Sequence, residues 1–294
     1  MKPHLRRIGG CFAAAARMML KHEVPRDAAG ISYFSVVALF PAMLVMIAVV
    51  DVSLGWVNLH ETVIQQIIAL FPGSRQFLSA NLREITTPST AVAFACVAVV
   101  LWSASWMFTF MESAINRAWG APIQRPFWQS RMLGIAFVVL IGSSLLTLAA
   151  ITYYVSNARA RAEVHVQASV AANSFIGWLW YFILLATGLL IAILVFALIF
   201  KWTPHHPVLW SEAFAGAAAT TILWEIGSFI FMRVVPFFDY QRIYGRMGAA
   251  IALLVWVYTS NLIMLFGANF SAQLHLMTPE KPMPYSGSLP RGTV

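Results

Sequence analysis

The sequence predicts an all-α fold of the polytopic membrane type. It has six transmembrane helices, with short amphipathic helices in the N-terminal segment and the first outer connection. Composition, span length and the placement of Lys and Arg predict it. Of 294 residues, 60% are hydrophobic and only 10% are charged, whereas a soluble domain carries about 25% charged residues. The length suits one membrane domain with no soluble domain attached. A formal charge of +8 would suit nucleic acid, but a polytopic membrane protein gathers the same excess from cytoplasmic Lys and Arg. No basic cluster alternates with aromatics, so no nucleic-acid partner is expected.

Residues 1–27 read as a cytoplasmic basic amphipathic segment. Arg6, Arg7, Arg17 and Lys21 alternate with Leu5, Ile8, Phe12, Met18 and Met19, which suits a helix at the headgroup surface. A solvated basic tail with partial helicity is the alternative. Pro25 ends this segment and Asp27 can cap the next helix. The apolar run that follows is too long for the core of a cleavable signal.

The membrane domain, residues 28–276, contains hydrophobic spans at approximately Ala28–Val50, Ala91–Met111, Leu133–Val155, Ile176–Phe200, Ser211–Val235 and Gly248–Phe270. Each is close to the roughly 20 residues needed to cross a bilayer core. Within 51–90, Leu59, Val63, Ile67 and Leu70 fall at helical spacing before Phe71-Pro72-Gly73. Ser74 can cap a second helix carrying Phe77, Leu78, Leu82 and Ile85. This is the expected outer amphipathic pair. Residues 277–294, rich in Pro and Gly, read as a flexible cytoplasmic tail.

Orientation follows from charge. Lys2, Arg6, Arg7, Arg17, Lys21, Arg26, Arg117, Arg125, Arg131, Lys281 and Arg291 fall on one side, against Arg75, Arg83, Arg159, Arg161, Arg242 and Arg246 on the other. The positive-inside rule then puts both termini in the cytoplasm.

Glu225, near the middle of the fifth span, is the foremost site candidate. It lies about 21 Å along a helix that begins at Ser211. An acid at a helix centre costs roughly 2.5–3.5 kcal/mol unless it faces protein or water, or carries a proton. Trp224, Ser228, Asn261 and Asn269 are the groups that could offset it and complete an intramembrane polar site. The alternative is a carboxyl that only locks helix packing. Pro41 would kink the first span and free a carbonyl, and Tyr244 and Gly245 in the last outer turn complete a candidate gate. Arg233, Arg242 and Arg246 form a candidate outer basic surface, with Arg233 snorkelling outward rather than pairing with Glu225.

Soluble-type catalysis finds little support. The seven histidines are scattered over both sides of the membrane, and His205-His206 has only Glu212 nearby. No metalloprotease, nucleophile-elbow or phosphate-loop pattern occurs. Cys11 and Cys96 provide neither a disulfide framework nor zinc spacing. No catalytic residue, metal or cofactor is expected.

Several runs together resemble the YihY/BrkB family of bacterial inner-membrane proteins. In the first half they are Ala28-Ala29 to Leu39-Phe40-Pro41, Leu101-Trp102-Ser103-Ala104-Ser105, Asn116 and Trp119-Gly120. Pro204, Trp210, Gly216, Leu223-Trp224-Glu225-Ile226-Gly227, Tyr244-Gly245, Trp256-Val257-Tyr258 and Gly267-Ala268-Asn269 continue the pattern. The resemblance implies a multi-pass inner-membrane protein of six helices with cytoplasmic termini. The chain departs from it at Asn269, where Glu is common, at Arg242 and Arg246, and at Ala38. Members are described as permeases or envelope proteins, and many carry the label ribonuclease BN. That label requires groups able to bind metal and RNA phosphate, which the sequence does not offer in recognisable form. A transporter-like protein handling a lipid-related or small solute is therefore expected, with membrane lipids as partners. A non-transporting scaffold recruiting an envelope protein is the alternative.

Overall fold

The computed structural model describes residues 2–21, 24–54, 65, 68, 90–120, 126–165, 170–238, 244 and 247–277. The expected outer helix pair within 51–90 lies outside them apart from residues 51–54, 65, 68 and 90. So do Arg242, Gly245, Arg246 and the tail after residue 277. Every regular element among the described residues is helical: α1 (Lys2–Lys21), α2 (Val24–Leu54), α3 (Thr90–Ala118), α4 (Phe127–His165), α5 (Val170–Trp202), α6 (Trp210–Val234) and α7 (Gly248–Met277). A single 3-10 turn, Val235–Phe237, follows α6.

Helices α2 to α7 contain six stretches long and apolar enough to cross a membrane. Several run past their expected ends. Helix α3 continues beyond Met111 through Glu112 to Ala118, and α7 continues beyond Phe270 to Met277. In both places polar side chains that would have ended an apolar span are buried against neighbouring helices. Pro41 lies inside α2 without ending it, although it leaves the Val37 carbonyl without its usual N–H donor.

Each of the six spans packs on its neighbour in chain order, and α7 closes the set against α2, α6 and α1. We call the end where α2 begins and α7 finishes proximal, and the other end distal. The main apolar cluster is wholly proximal or central. It joins Ala28 and Ile31 of α2, Phe108 and Ile115 of α3, Phe137 of α4 and Phe200 of α5 to Ala213 and Ala217 of α6 and Leu265 and Ala268 of α7. Glycines admit the rings. A Cβ at Gly30 would lie 3.1 Å from Phe110, and one at Gly134 would lie 3.1 Å from Phe108.

Distally the helices behave differently. Helix α7 keeps Ala252, Leu253 and Trp256 buried, with Trp224 and Phe231 of α6 at ring separations of 5.6 Å and 5.0 Å from Trp256. In α5, by contrast, Trp178, Leu179, Tyr181, Phe182 and Ile183 are all exposed. These near-consecutive positions cover most of a helix circumference. Val92, Phe94, Val97 and Val99 at the distal end of α3 are exposed as well.

Helix α1 forms in the segment expected to be amphipathic, and it docks on the bundle. Cys11 and Ala15 are fully buried with Phe266 and Phe270 of α7, and Ala219 and Leu223 of α6 pack alongside. Phe12 meets Phe266 edge-on at 4.7 Å.

Helices α6 and α7 approach most closely at two glycines. A Cβ on Gly216 would lie 2.8 Å from the Ser271 Cβ and 2.9 Å from the Gly267 carbonyl, and one on Gly267 would overlap the Thr220 hydroxyl. Small residues permit such contact between membrane helices. Gly267→Ala should therefore lower stability by about 1–3 kcal/mol, read as a lower unfolding midpoint in detergent. Adding Thr220→Ala should recover part of the loss at Gly267 and none of the loss caused by Gly216→Ala.

Candidate functional site

Two polar layers cross the bundle. The first is at mid-depth. Ala213, Ala217, Thr221 and Glu225 follow one another at four-residue intervals along a single ridge of α6. The first three are buried and Glu225 is exposed. Packing along this ridge therefore ends between Thr221 and Glu225. The Thr221 hydroxyl is buried with no hydrogen-bond partner, and so is that of Ser103 on α3. Counted along their own helices, Ser103 and Glu225 lie about 22 Å and Asn261 about 24 Å from the proximal helix ends, although the Ser32 that Asn261 meets is only about 12 Å along α2.

The groups expected to offset Glu225 are engaged elsewhere. Asn261 donates its amide N–H to the Ser32 hydroxyl of α2 at 2.9 Å and to the Val257 carbonyl at 3.0 Å. Buried Asn269 donates to the Leu265 carbonyl of its own helix at 2.8 Å. Trp224 donates its indole N–H to Ser260 at 3.2 Å, and Ser228 is buried in α6. The Arg233 guanidinium lies 4.9 Å from the Phe229 ring centre. Among the described residues, no hydrogen bond or ion pair reaches Glu225, from Arg233 or from any other group. Tyr244 is exposed. The structure thus brings Ser32, Asn261 and the Trp224–Ser260 pair into the α2–α6–α7 packing and leaves Glu225 facing outward.

The second layer closes the proximal end, and here the sequence reading looked past the decisive residues. Glu212 sits in the first turn of α6, where a carboxylate is favoured by the helix dipole. One carboxylate oxygen accepts from the Leu209 N–H at 2.9 Å, and the other meets His275 Nδ1 of α7 at 2.7 Å. Ser271 donates to the Glu212 backbone carbonyl at 3.0 Å. On α3, Asn116 accepts from the backbone N–H of His205 at 2.9 Å, and Glu112 accepts from Ser130 of α4 at 2.5 Å. His205 Nε2 lies 4.0 Å from the other Glu112 oxygen. Asp27 pairs with Arg117, which also donates to Ser113 at 2.6 Å. Lys201 donates to the Val208 carbonyl. The loop 203–209 is thus stitched to α3, α5, α6 and α7.

Three rings touch one another beneath that loop. His206 stacks on Trp119 at 5.5 Å, His275 lies 5.4 Å from Trp119, and the two imidazoles are 4.9 Å apart. The Trp119 indole N–H and the Thr203 hydroxyl are buried without partners. Burial, and after it the neighbouring His275, hold His206 below its ordinary value of 6.5, against smaller opposing pulls from the Pro207 backbone and Glu212. Among the described residues, no three His, Cys, Asp or Glu side chains converge in a way that could hold a metal ion.

Chain parity could have revealed this layer. Helices that alternate in direction bring the ends of α3, α5 and α7 and the starts of α2, α4 and α6 to one side. Glu112, Asn116, His205, His206, Glu212 and His275 all lie at those ends.

A bundle of six apolar helices of membrane-crossing length, closed round α7, is that of a polytopic α-helical membrane protein. Relatives agree. A UPF0761 membrane protein of Idiomarina loihiensis is 27% identical over 238 residues, 78% of each chain. One from Aeromonas salmonicida is 26% identical over 277 residues, 92% of this chain and 91% of the relative. YfkH of Bacillus subtilis, named a ribonuclease-like protein, is 24% identical over 259 residues, 86% of this chain and 91% of its own. The family described as virulence factor BrkB matches residues 15–286, and the chain belongs to it. No solved structure matches significantly.

The bond between Asn261 and Ser32 should behave as a tie between helices. A double-mutant cycle of Ser32→Ala and Asn261→Ala should give a coupling of about 0.6 kcal/mol, as is typical of such membrane bonds. Asn269 paired with Ser32 should give none.

Proposed function

We propose that the protein is a transporter-like carrier of a lipid-related or small solute, with its site in the mid-depth layer around Glu225. One observation carries this reading. The bundle is densely packed and polar-sealed at the proximal end, whereas α3 and α5 lose their packing distally, and the change falls at the level of Glu225. Carriers commonly bind their solute near the bilayer midplane, between parts of the bundle that open to one side at a time.

The layer is also chemically incomplete. The buried Thr221 and Ser103 hydroxyls lack partners, and the Glu225 carboxylate, without a partner among the described residues, stands exposed where packing stops. Buried polar atoms are nearly always satisfied, so a ligand's polar groups are natural partners for these. Glu225 is exposed beside Ile222, Ile226 and Phe229. That apolar setting favours an amphiphile, whose head meets the carboxylate while its chain stays in hydrocarbon, over an ion in an enclosed pore.

The experiment is uptake and lipid-exchange screening in proteoliposomes. Glu225→Gln should lower the rate of whichever solute is moved at least tenfold, and Thr221→Val should raise its half-saturating concentration, both with unchanged folding. A Glu225→Gln protein that moves solute as fast as the parent would remove Glu225 from the mechanism.

A further inference from the structure

We infer that His206 is the proton-binding element of a gate at the proximal end: with a neutral ring the loop 203–209 seals the bundle, and protonation of that ring releases it. The seal is the second polar layer, and opening it can be followed without any solute. The inference therefore goes beyond the transport reading and stands or falls separately from it.

The geometry of the three rings carries the inference. His206 stacks one face on Trp119 and meets His275 edge-to-face, with Trp119 and His275 also in contact with each other, and both its ring nitrogens are buried without a well-formed hydrogen bond. A neutral imidazole tolerates this because its flat apolar faces are the surfaces in contact. An imidazolium is tolerated less well, since it adds a second N–H donor and a positive charge in a buried site where the pulls of the Pro207 backbone and Glu212 are outweighed by burial and by His275. The indole face of Trp119 attracts a cation, but it supplies no acceptor in the ring plane.

The charged surroundings point the same way. From α6, Glu212 attracts a proton to this region, but its carboxylate is already engaged by His275 and by the Leu209 N–H. From α7, His275 would repel a second cation 4.9 Å away. From α3, Glu112 lies nearest to His205 rather than His206, and Arg117 is neutralised by Asp27 of α2. From α5, Lys201 is bound to the Val208 carbonyl within the same loop.

The sign follows. The sealed state holds the affinity of His206 for a proton below that of a solvated imidazole. A state in which the ring reaches water binds the proton better, so acid favours that state through linkage. The preference for the sealed form is full above about pH 6.5 and falls as the pH drops below it. Release of His206 would withdraw the His205 N–H from Asn116 and uncover Thr203, which is buried in the sealed form.

The test places a reporter cysteine at Thr203 in a background lacking Cys11 and Cys96, with Ser211→Cys as an exposed reference. Labelling by a water-soluble maleimide is measured in full-length protein at pH 7.5 and 5.5 and divided by the reference rate, which removes the intrinsic pH dependence of the thiol. The normalised rate at position 203 should rise at least fivefold on acidification. His206→Phe, which keeps the stacked ring and loses the proton, should abolish the rise, and His206→Gln provides the same comparison should the Phe variant not fold. A rate independent of pH, or a rise that persists without His206, would overturn the gate.

Discussion

The contact between α6 and α7 fixes the rest of the molecule. The two helices run antiparallel, and their facing residues recur every four positions: Glu212, Gly216 and Thr220 against His275, Ser271 and Gly267. The glycines let the backbones approach until Ser271 can reach the Glu212 carbonyl. In hydrocarbon there is no hydrophobic force between helices, and association depends on close packing and on hydrogen bonds across the interface. This seam supplies both. It centres α7 in the bundle and sets the height at which Glu212 meets His275.

From the seam outward, the two polar layers differ in what they tie down. In the proximal layer, carboxylates, amides and hydroxyls of Asp27, Glu112, Asn116, Ser130 and Glu212 find named partners and fix the loop between α5 and α6, although the Trp119 indole N–H and the Thr203 hydroxyl stay buried without partners. The mid-depth layer leaves the hydroxyls of Ser103 and Thr221 without partners. The main apolar cluster lies between the proximal seal and this layer. Density on one side of the mid-depth layer and exposure of α3 and α5 on the other make it a boundary as well as a polar level.

Span length and hydropathy made all six membrane helices legible, because about 20 consecutive apolar residues have few other uses. The small residues from Ala213 to Thr221 account for the close contact of α6 with α7. The environment of Glu225 was not legible. Its place near the middle of α6 follows from counting, but whether a ridge is covered depends on where α5 diverges, which periodicity does not record. Asn261 and Asn269 illustrate the same gap: both were candidate partners for Glu225, yet one ties α7 to α2 and the other bonds its own backbone. The proximal cluster was overlooked for a different reason. Its members are far apart in sequence, from Asp27 to His275, and each alone resembles an ordinary polar residue at a span end. The docking of α1 was hidden because its contact stripe is small, with Cys11 and Ala15 as its most buried members.

That docking has a consequence for how the chain is made. The surface that receives α1 is built from α6 and α7, which are synthesised long after it. Until Phe266 and Phe270 have entered the membrane, Cys11, Phe12 and Ala15 have no surface to rest on, and the five earlier spans lack the helix that centres them. The α1 segment must therefore wait until both α6 and α7 have been made, so its docking comes late in the assembly of the bundle.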